Sequence, residues 1–337
     1  MIDPGRHTSG RIAMANLSAS IDGLELGRRE NPTFEALDRL SGLLFLRGDL
    51  LGRIADHDHA EIVAREAIDL DSARAGAVFL RARLAGRFHH FGEARTLLDE
   101  ALAAGHPRPE VEAELAALLQ ATGDYREALA LRKARADEDP SIRTLGSLAS
   151  LLAEGFDWAA AESCYTLALE ADEGASPIPS AQVLFEWGVG AMRRRDLDRA
   201  DEILGEVARM LPQHVPARGH RAEVALARGE RDLALLFIWP LPDNSDDPEY
   251  RATYAEILDA RGEHELAAVE ASRAAAAYDA LLARRPEAYA DHAAAFFMGL
   301  GRRPRRALEL ARANWNIRRT PRSRRLLERA RRQAGFA

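Results

Sequence analysis

The chain has 337 residues, 47% of them apolar and 29% charged, with a net charge of −7 at neutral pH. That length and apolar share allow a sizeable core, and the mild acidity gives no global reason to bind nucleic acid. A single cysteine, Cys164, excludes an intrachain disulfide framework and any multi-cysteine zinc site, and its setting in "AESCYTLALE" reads as a small buried residue.

Aromatic residues make up only 6%, and alanine, leucine, arginine and glutamate dominate, a helix-forming mixture. The start, "MIDPGRHTSGRIAMANLSAS", has no apolar stretch of signal-peptide length, and no run approaches the ~20 apolar residues that span a bilayer. A cytoplasmic location is the expectation, with residues 1–33 as a poorly defined leader.

From residue 34 onward the chain repeats. Alanines that follow a turn and open a helix recur at Ala60, Ala94, Ala128, Ala161, Ala200, Ala234, Ala267 and Ala307, at intervals of 34, 34, 33, 39, 34, 33 and 40 residues. Seven residues later, Ala67, Ala101, Ala168 and Ala274 repeat the small side chain, whereas Arg135, Val207, Leu241 and Asn314 do not. Seven residues is two helical turns, so both positions lie on one helix face. Small side chains there let two helices cross closely. Small partners stand in the preceding helix at Ala116, Ala149, Gly188, Ala222 and Ala255.

The turns "TGDYREA", "GFDWAAA", "RRDLDRA", "RGERDLA" and "RGEHELA" put a carboxylate at the start of the second helix, where it caps free amides. Gly123, Gly229 and Gly262 end the first helix in a left-handed conformation, and Pro140 and Pro212 stop the second. "RGDLLGRIADHDHA" and "LAGRFHHFGEA" read as stretched turns. "ADEGASPIPS" reads as a loop, the run from Glu263 to Pro286 as an extended second helix, and Pro240 in "IWPLPDNSDDP" as the end of a shortened one.

A period near 34 with these turns resembles the tetratricopeptide repeat family over residues 34–320. It is most regular in 109–140, 142–173, 181–212 and 248–280. The resemblance implies an all-α fold, a right-handed superhelix (α-solenoid) of about eight hairpins, closed by a basic capping helix within 321–337. It also implies a non-enzymatic scaffold or adaptor, without cofactor, that binds a peptide or helical segment of a partner in a concave groove lined by the first helices.

Carried onto this chain, the groove comprises Gln182, Phe185, Val189, Met192 and Arg193 in one zone. Glu249, Glu256 and Asp259 form a second zone suited to basic ligand groups, and Tyr289, His292 and Phe296 a third. Arg143, Glu154 and Glu223 lie between or beside them. Chaperone C-terminal tails are a disfavoured partner. The clamp that grips them needs groove lysines and asparagines, and here Lys133 is the only lysine and no asparagine falls between Asn31 and Asn244.

Two alternatives stand beside the scaffold. Residues 302–337 hold thirteen arginines and two glutamates, a net +11 that leaves −18 on residues 1–301. That end could bind nucleic acid or an anionic surface through Arg318, Arg319, Arg324 and Arg325, or draw the basic tail of one copy onto the acidic body of another. The weaker alternative is a metal-dependent enzyme at "DHDH", residues 56–59, although a helix brings only Asp56 and His59 together. "HH" at 89–90 and the acidic "DNSDD" at 243–247 read as polar turns. No phosphate loop, dinucleotide fingerprint or metalloprotease pair is present.

Overall fold

The computed structural model describes residues 7–155 and 157–335, so the first six residues of the expected leader, Phe156 in the "GFDWAAA" turn and the last two residues of the basic end lie outside the described residues. All regular structure among the described residues is helical. The helices run α1 (Gly10–Glu30), α2 (Phe34–Leu51), α3 (Ile54–Leu70), α4 (Ala75–Arg87), α5 (Phe91–Ala103) and α6 (Arg108–Thr122). Then come α7 (Tyr125–Glu138), α8 (Ile142–Ala153), α9 (Trp158–Glu170), α10 (Ile178–Arg193), α11 (Leu197–Met210) and α12 (Val215–Ala227). The last are α13 (Arg231–Ile238), α14 (Leu241–Asn244), α15 (Pro248–Ala260), α16 (His264–Arg284), α17 (Pro286–Met298), α18 (Pro304–Ile317) and α19 (Pro321–Gln333).

Local chemistry explains the boundaries. Ser9, Thr33, Asp157, Asp196 and Thr320 accept a hydrogen bond from the first turn of α1, α2, α9, α11 and α19, each satisfying an amide that has no partner within its helix. Ser141 and Thr144 form a reciprocal capping box on α8. Gly123, Gly229 and Gly262 end their helices at φ of 100°, 82° and 87°, as the turn pattern predicts.

Helices pair in sequence order, α2 with α3, α4 with α5, α8 with α9, α10 with α11, α15 with α16 and α17 with α18. The spaced alanines sit at the crossings. Ala60, Ala128, Ala161, Ala200, Ala234 and Ala307 are fully buried, and Ala94 and Ala267 are 2% exposed. A methyl group is all that these crossings admit.

Several elements differ from expectation. Within the expected leader, residues 10–30 form a 21-residue helix, α1, packed on α2. The first "stretched turn" is only Gly52 and Arg53, because the extra residues lengthen α2 and α3. In "LAGRFHHFGEA" the turn is three residues, with His89 at φ 65°. Cys164 is half-buried rather than core; its neighbour Tyr165, 1% exposed, fills the interior. The extended helix appears as the 21-residue α16, α13 ends before Pro240, and the capping helix appears as α19.

Contacts divide the chain into two compact units, each built from two separate stretches. The first comprises residues 1–71 and 126–237, and the second residues 72–125 and 238–337. In a simple array each repeat meets only its neighbours; both units depart from that. In the first, α2 packs on α12, the Thr8 amide donates to the Ala175 carbonyl at 2.8 Å, and a Cβ on Gly10 would lie 2.4 Å from the Met210 carbonyl oxygen. In the second, the Arg319 amide donates to the Thr122 carbonyl at 2.9 Å and Arg285 lies over the Phe88 ring. Two cores in the second unit gather α15–α19 around Tyr278 and Phe297, and α4–α6 around Phe79 and Leu97.

Candidate peptide-binding faces

In the first unit, α8, α10 and α12 are consecutive first helices, with α10 touching both of the others. Their outward residues form one polar surface. Gln182 and Arg193 of α10 are exposed, as is Arg143 of α8. An Arg193 guanidinium nitrogen donates to Glu154 at 3.2 Å, and His220 Nδ1 meets Glu223 at 3.0 Å. At the centre lies Glu186, whose carboxylate accepts from the Gln182 side-chain amide at 3.2 Å. Burial holds the Glu186 carboxyl above its usual range, with Glu154 pushing the same way and Arg193 opposing.

Beneath this surface the Arg132 guanidinium donates to the Ser147 carbonyl. Burial lowers its pKa to about 10, against the pull of Glu186 and Tyr165. Glu186 was not among the expected groove residues, although it stands four residues after Gln182 and seven before Arg193, on the same helical face. That spacing was the available signal.

The apolar residues expected here behave differently. Val189 is 6% exposed and belongs to the core, so it cannot touch a ligand. Met192 is half-buried. Phe185 is also half-buried; its ring stacks on His220, with centroids 5.6 Å apart, and meets the tilted His214 ring at 4.9 Å. His214 caps α12 through its own ring nitrogen, and burial lowers its pKa to about 4, so it is neutral at physiological pH.

The second unit contributes α15 and α17. Here the expected carboxylates are occupied by the chain itself. Glu249 meets His292 at 3.3 Å, His292 meets Asp291 at 3.8 Å, and Arg318 reaches Asp291 at 3.4 Å while donating to the Ala121 carbonyl. Glu249 and Asp291 raise the His292 pKa to about 10 despite burial, so the ring is cationic at pH 7. Burial alone would raise the Asp291 pKa, but His292, Arg322, Arg318 and His89 outweigh it and bring it down to about 2.

His89 donates from Nδ1 to the Glu287 carbonyl, and burial with Arg318 nearby lowers its pKa. Asp259 pairs with His264 at 2.8 Å, and Glu256 is exposed. Tyr289 is half-buried against the core, and Phe296, 3% exposed, stacks on Tyr278 inside it. Phe296 therefore belongs with Val189 as a core residue and not a groove residue.

The metal-like cluster disperses. Asp56 binds Arg47 at 2.6 Å, His57 faces Asp49, and His59 faces Glu25, so three side chains serve three different partners. Among the described residues, no three His, Cys, Asp or Glu side chains converge on a common point. His90 faces Glu93 and Glu287. In the acidic stretch, Asp247 caps α15 by accepting from the Glu249 amide, and burial with Glu249 beside it raises its pKa.

At the basic end, Arg318 is committed to Asp291, Arg319 lies 4.7 Å over the Trp315 ring, Arg324 pairs with Glu328 at 2.8 Å, and Arg325 is exposed. The four arginines thus do not form one open anion site.

No family model matches the chain, and no curated protein matches its sequence. Solved structures do. The Cut9–Hcn1 hetero-tetramer of the APC/C aligns over 92% of this chain with a TM-score of 0.53 and 13% identity, and this chain spans 58% of that one. A tetratricopeptide repeat protein from Parabacteroides merdae aligns over 72% of this chain and 91% of its own, with a TM-score of 0.47 and 19% identity. PilF of Pseudomonas aeruginosa aligns over 64% and 92%, at 0.40 and 18%.

Proposed function

The chain folds as a tetratricopeptide-repeat α-solenoid of helical hairpins, and from that premise we propose that it is a non-enzymatic scaffold that holds a peptide or helical segment of a protein partner on the surface of α8, α10 and α12. The observation that carries this reading is the polar surface around Glu186. Three successive first helices each place charged or amide side chains outside the core, at Arg143, Glu154, Gln182, Arg193 and Glu223. Helical packing does not need those side chains there.

A partner segment would exchange hydrogen bonds with Gln182 and Arg143 and bring charges to meet Arg193 and Glu154. Displacing Gln182 from the half-buried Glu186 carboxylate would give specificity, because an unmatched ligand leaves that carboxylate without its donor. In the second unit Glu249, Asp259 and Asp291 already hold His292, His264 and Arg318.

The test is affinity capture from the native organism with wild type and an Arg143→Glu/Gln182→Lys double variant. Both positions are exposed, so thermal melts of the two proteins should coincide. A partner retained by wild type and lost by the variant supports the reading. Equal capture by both removes it.

A further inference from the structure

The second unit carries an exposed apolar patch that the groove reading does not use. Trp239 is 62% exposed, Leu266 56% and Val269 48%. The Trp239 ring meets Tyr254 edge-on at 6.0 Å. Arg251 pairs with Glu270 across the antiparallel helices α15 and α16, which sets Tyr254, one turn further along α15, opposite Leu266, one turn back along α16. The four side chains therefore form one surface. Its rim carries exposed carboxylates at Glu265 of α16 and at Asp243, whose side chain is 86% exposed, whereas Glu263 pairs with Arg261 and Glu270 with Arg251 and Arg273. An exposed tryptophan among aliphatic residues, inside a polar rim, is the usual form of a docking site.

The same unit carries a surface of opposite character. Leu327 and Ala330 of α19 are buried, and Leu326 and Ala334 pack against the core, which fixes the helix in place. Its outer face presents Arg322, Arg325, Arg329 and Arg332, all exposed and all on one side of the helix. Arg325, Arg329 and Arg332 make no ion pair among the described residues. Arginine over an aromatic ring is a contact this unit already uses, with Arg285 over Phe88, Arg303 over Phe297 and Arg319 over Trp315.

We propose that the arginine face of α19 docks on the Trp239–Tyr254–Leu266–Val269 patch of a second copy of this chain. Charge complementarity selects this occupant. The patch offers an aromatic face and carboxylates to guanidinium groups, and the chain separates +11 on residues 302–337 from −18 on the rest. A nucleic acid suits the pair of surfaces less well. Its phosphates would meet the acidic rim, and the exposed tryptophan would have no place in a purely basic interface.

The two surfaces differ, so the contact is heterologous: each copy offers one donor face and one acceptor face. At 13 residues, α19 is about 20 Å long, and one side of it covers well under the ~800 Å² per partner of a stable complex. The association is accordingly weak, sensitive to salt and visible at high protein concentration.

Sedimentation velocity at about 25 mM salt and protein up to about 200 µM tests this, because weak interfaces populate there. The average mass of wild type should rise with concentration at low salt and fall back to the monomer at about 500 mM salt. Arg325→Glu/Arg329→Glu and Trp239→Ala/Leu266→Ser should each stay monomeric. An equimolar mixture of the two should form a 1:1 dimer and nothing larger, since one retains only the patch and the other only the arginine face. If the charge-reversed variant fails to fold by circular dichroism, Arg325→Gln/Arg329→Gln takes its place.

A wild type that stays monomeric at low salt overturns the proposal. So does a mixture that forms no dimer although wild type associates. Salt-dependent binding of a labelled DNA duplex by a monomeric wild type, lost in the arginine variant, would overturn it in favour of nucleic acid.

Discussion

Three turn glycines hold the same position in their hairpins, and only one of them has a second task. Gly123, Gly229 and Gly262 all adopt positive φ. A Cβ at Gly229 or Gly262 would meet nothing within 4 Å, whereas at Gly123 it would lie 2.6 Å from the Arg319 carbonyl oxygen and 2.9 Å from its carbon. Alanine at any of the three costs about 1–2 kcal/mol of left-handed strain. At Gly123 the clash is with backbone, so no rotamer relieves it and the segment before α19 must withdraw. That movement breaks the Arg319 amide bond to the Thr122 carbonyl and the Arg318 contact with the Ala121 carbonyl, at about 1 kcal/mol each.

Gly123→Ala should therefore destabilise by about 3–4 kcal/mol, roughly 2 kcal/mol more than Gly229→Ala or Gly262→Ala. Urea denaturation gives the stabilities. Hydrogen exchange at the Arg319 amide should accelerate in Gly123→Ala alone. If all three variants lose the same stability and the Arg319 amide exchanges alike in each, residues 318–320 are not docked on the end of α6.

Other consequences follow from packing and charge. Ala200→Leu places three extra carbons at a fully buried crossing and should cost about 2–3 kcal/mol, while Ala268→Leu on the exposed side of α16 should be near neutral in the same denaturation assay. His292, with its pKa raised to about 10 from 6.5, contributes stability that is fully present below pH 6.5 and is lost as pH climbs toward 10. More than a third of its side chain meets water, so screening reduces the effect to about 1–2 kcal/mol; wild type should lose that much between pH 6 and 10 relative to His292→Gln. Asp291, lowered from 3.8 to about 2, acts in the opposite direction: its contribution of about 2 kcal/mol is present above pH 3.8 and lost as pH falls through 2, and Asp291→Asn should remove that part of the acid transition.

Local periodicity made much of this fold legible. The eight spaced alanines are all at most 2% exposed, because a crossing that admits only a methyl group leaves its mark at a fixed interval. Turn glycines, acidic caps and the length of α16 are likewise short-range features. What stayed hidden joins residues far apart in sequence. Gly10 against Met210 and Gly123 against Arg319 are contacts between stretches about two hundred residues apart, and each glycine looks ordinary in its own surroundings. Val189 and Phe296 show a related limit. A spacing of three or four residues marks a helical face, but which face turns toward the neighbouring helix depends on rotation about the axis, and a partial apolar stripe leaves that rotation open. Glu186 emerged only when α10 was seen to turn residues 182, 186 and 193 outward together.

The basic end makes the same point about charge. A count of thirteen arginines over 302–337 suggests one anion-binding surface. In the folded unit those arginines divide by what lies beside them. Arg303 pairs with Asp279, Arg306 with Glu309, Arg318 with Asp291 and Arg324 with Glu328, while Arg319 covers Trp315. Each of these is already neutralised or stacked and contributes little to attracting a ligand. The charge left for a partner includes one side of α19, at Arg325, Arg329 and Arg332 with Arg322 beside them, together with the exposed Arg302, Arg305 and Arg331 elsewhere. Reversing Arg318 should therefore damage the docking on Asp291 and lower stability, whereas reversing Arg325 and Arg329 should leave the fold intact and change only what the surface attracts.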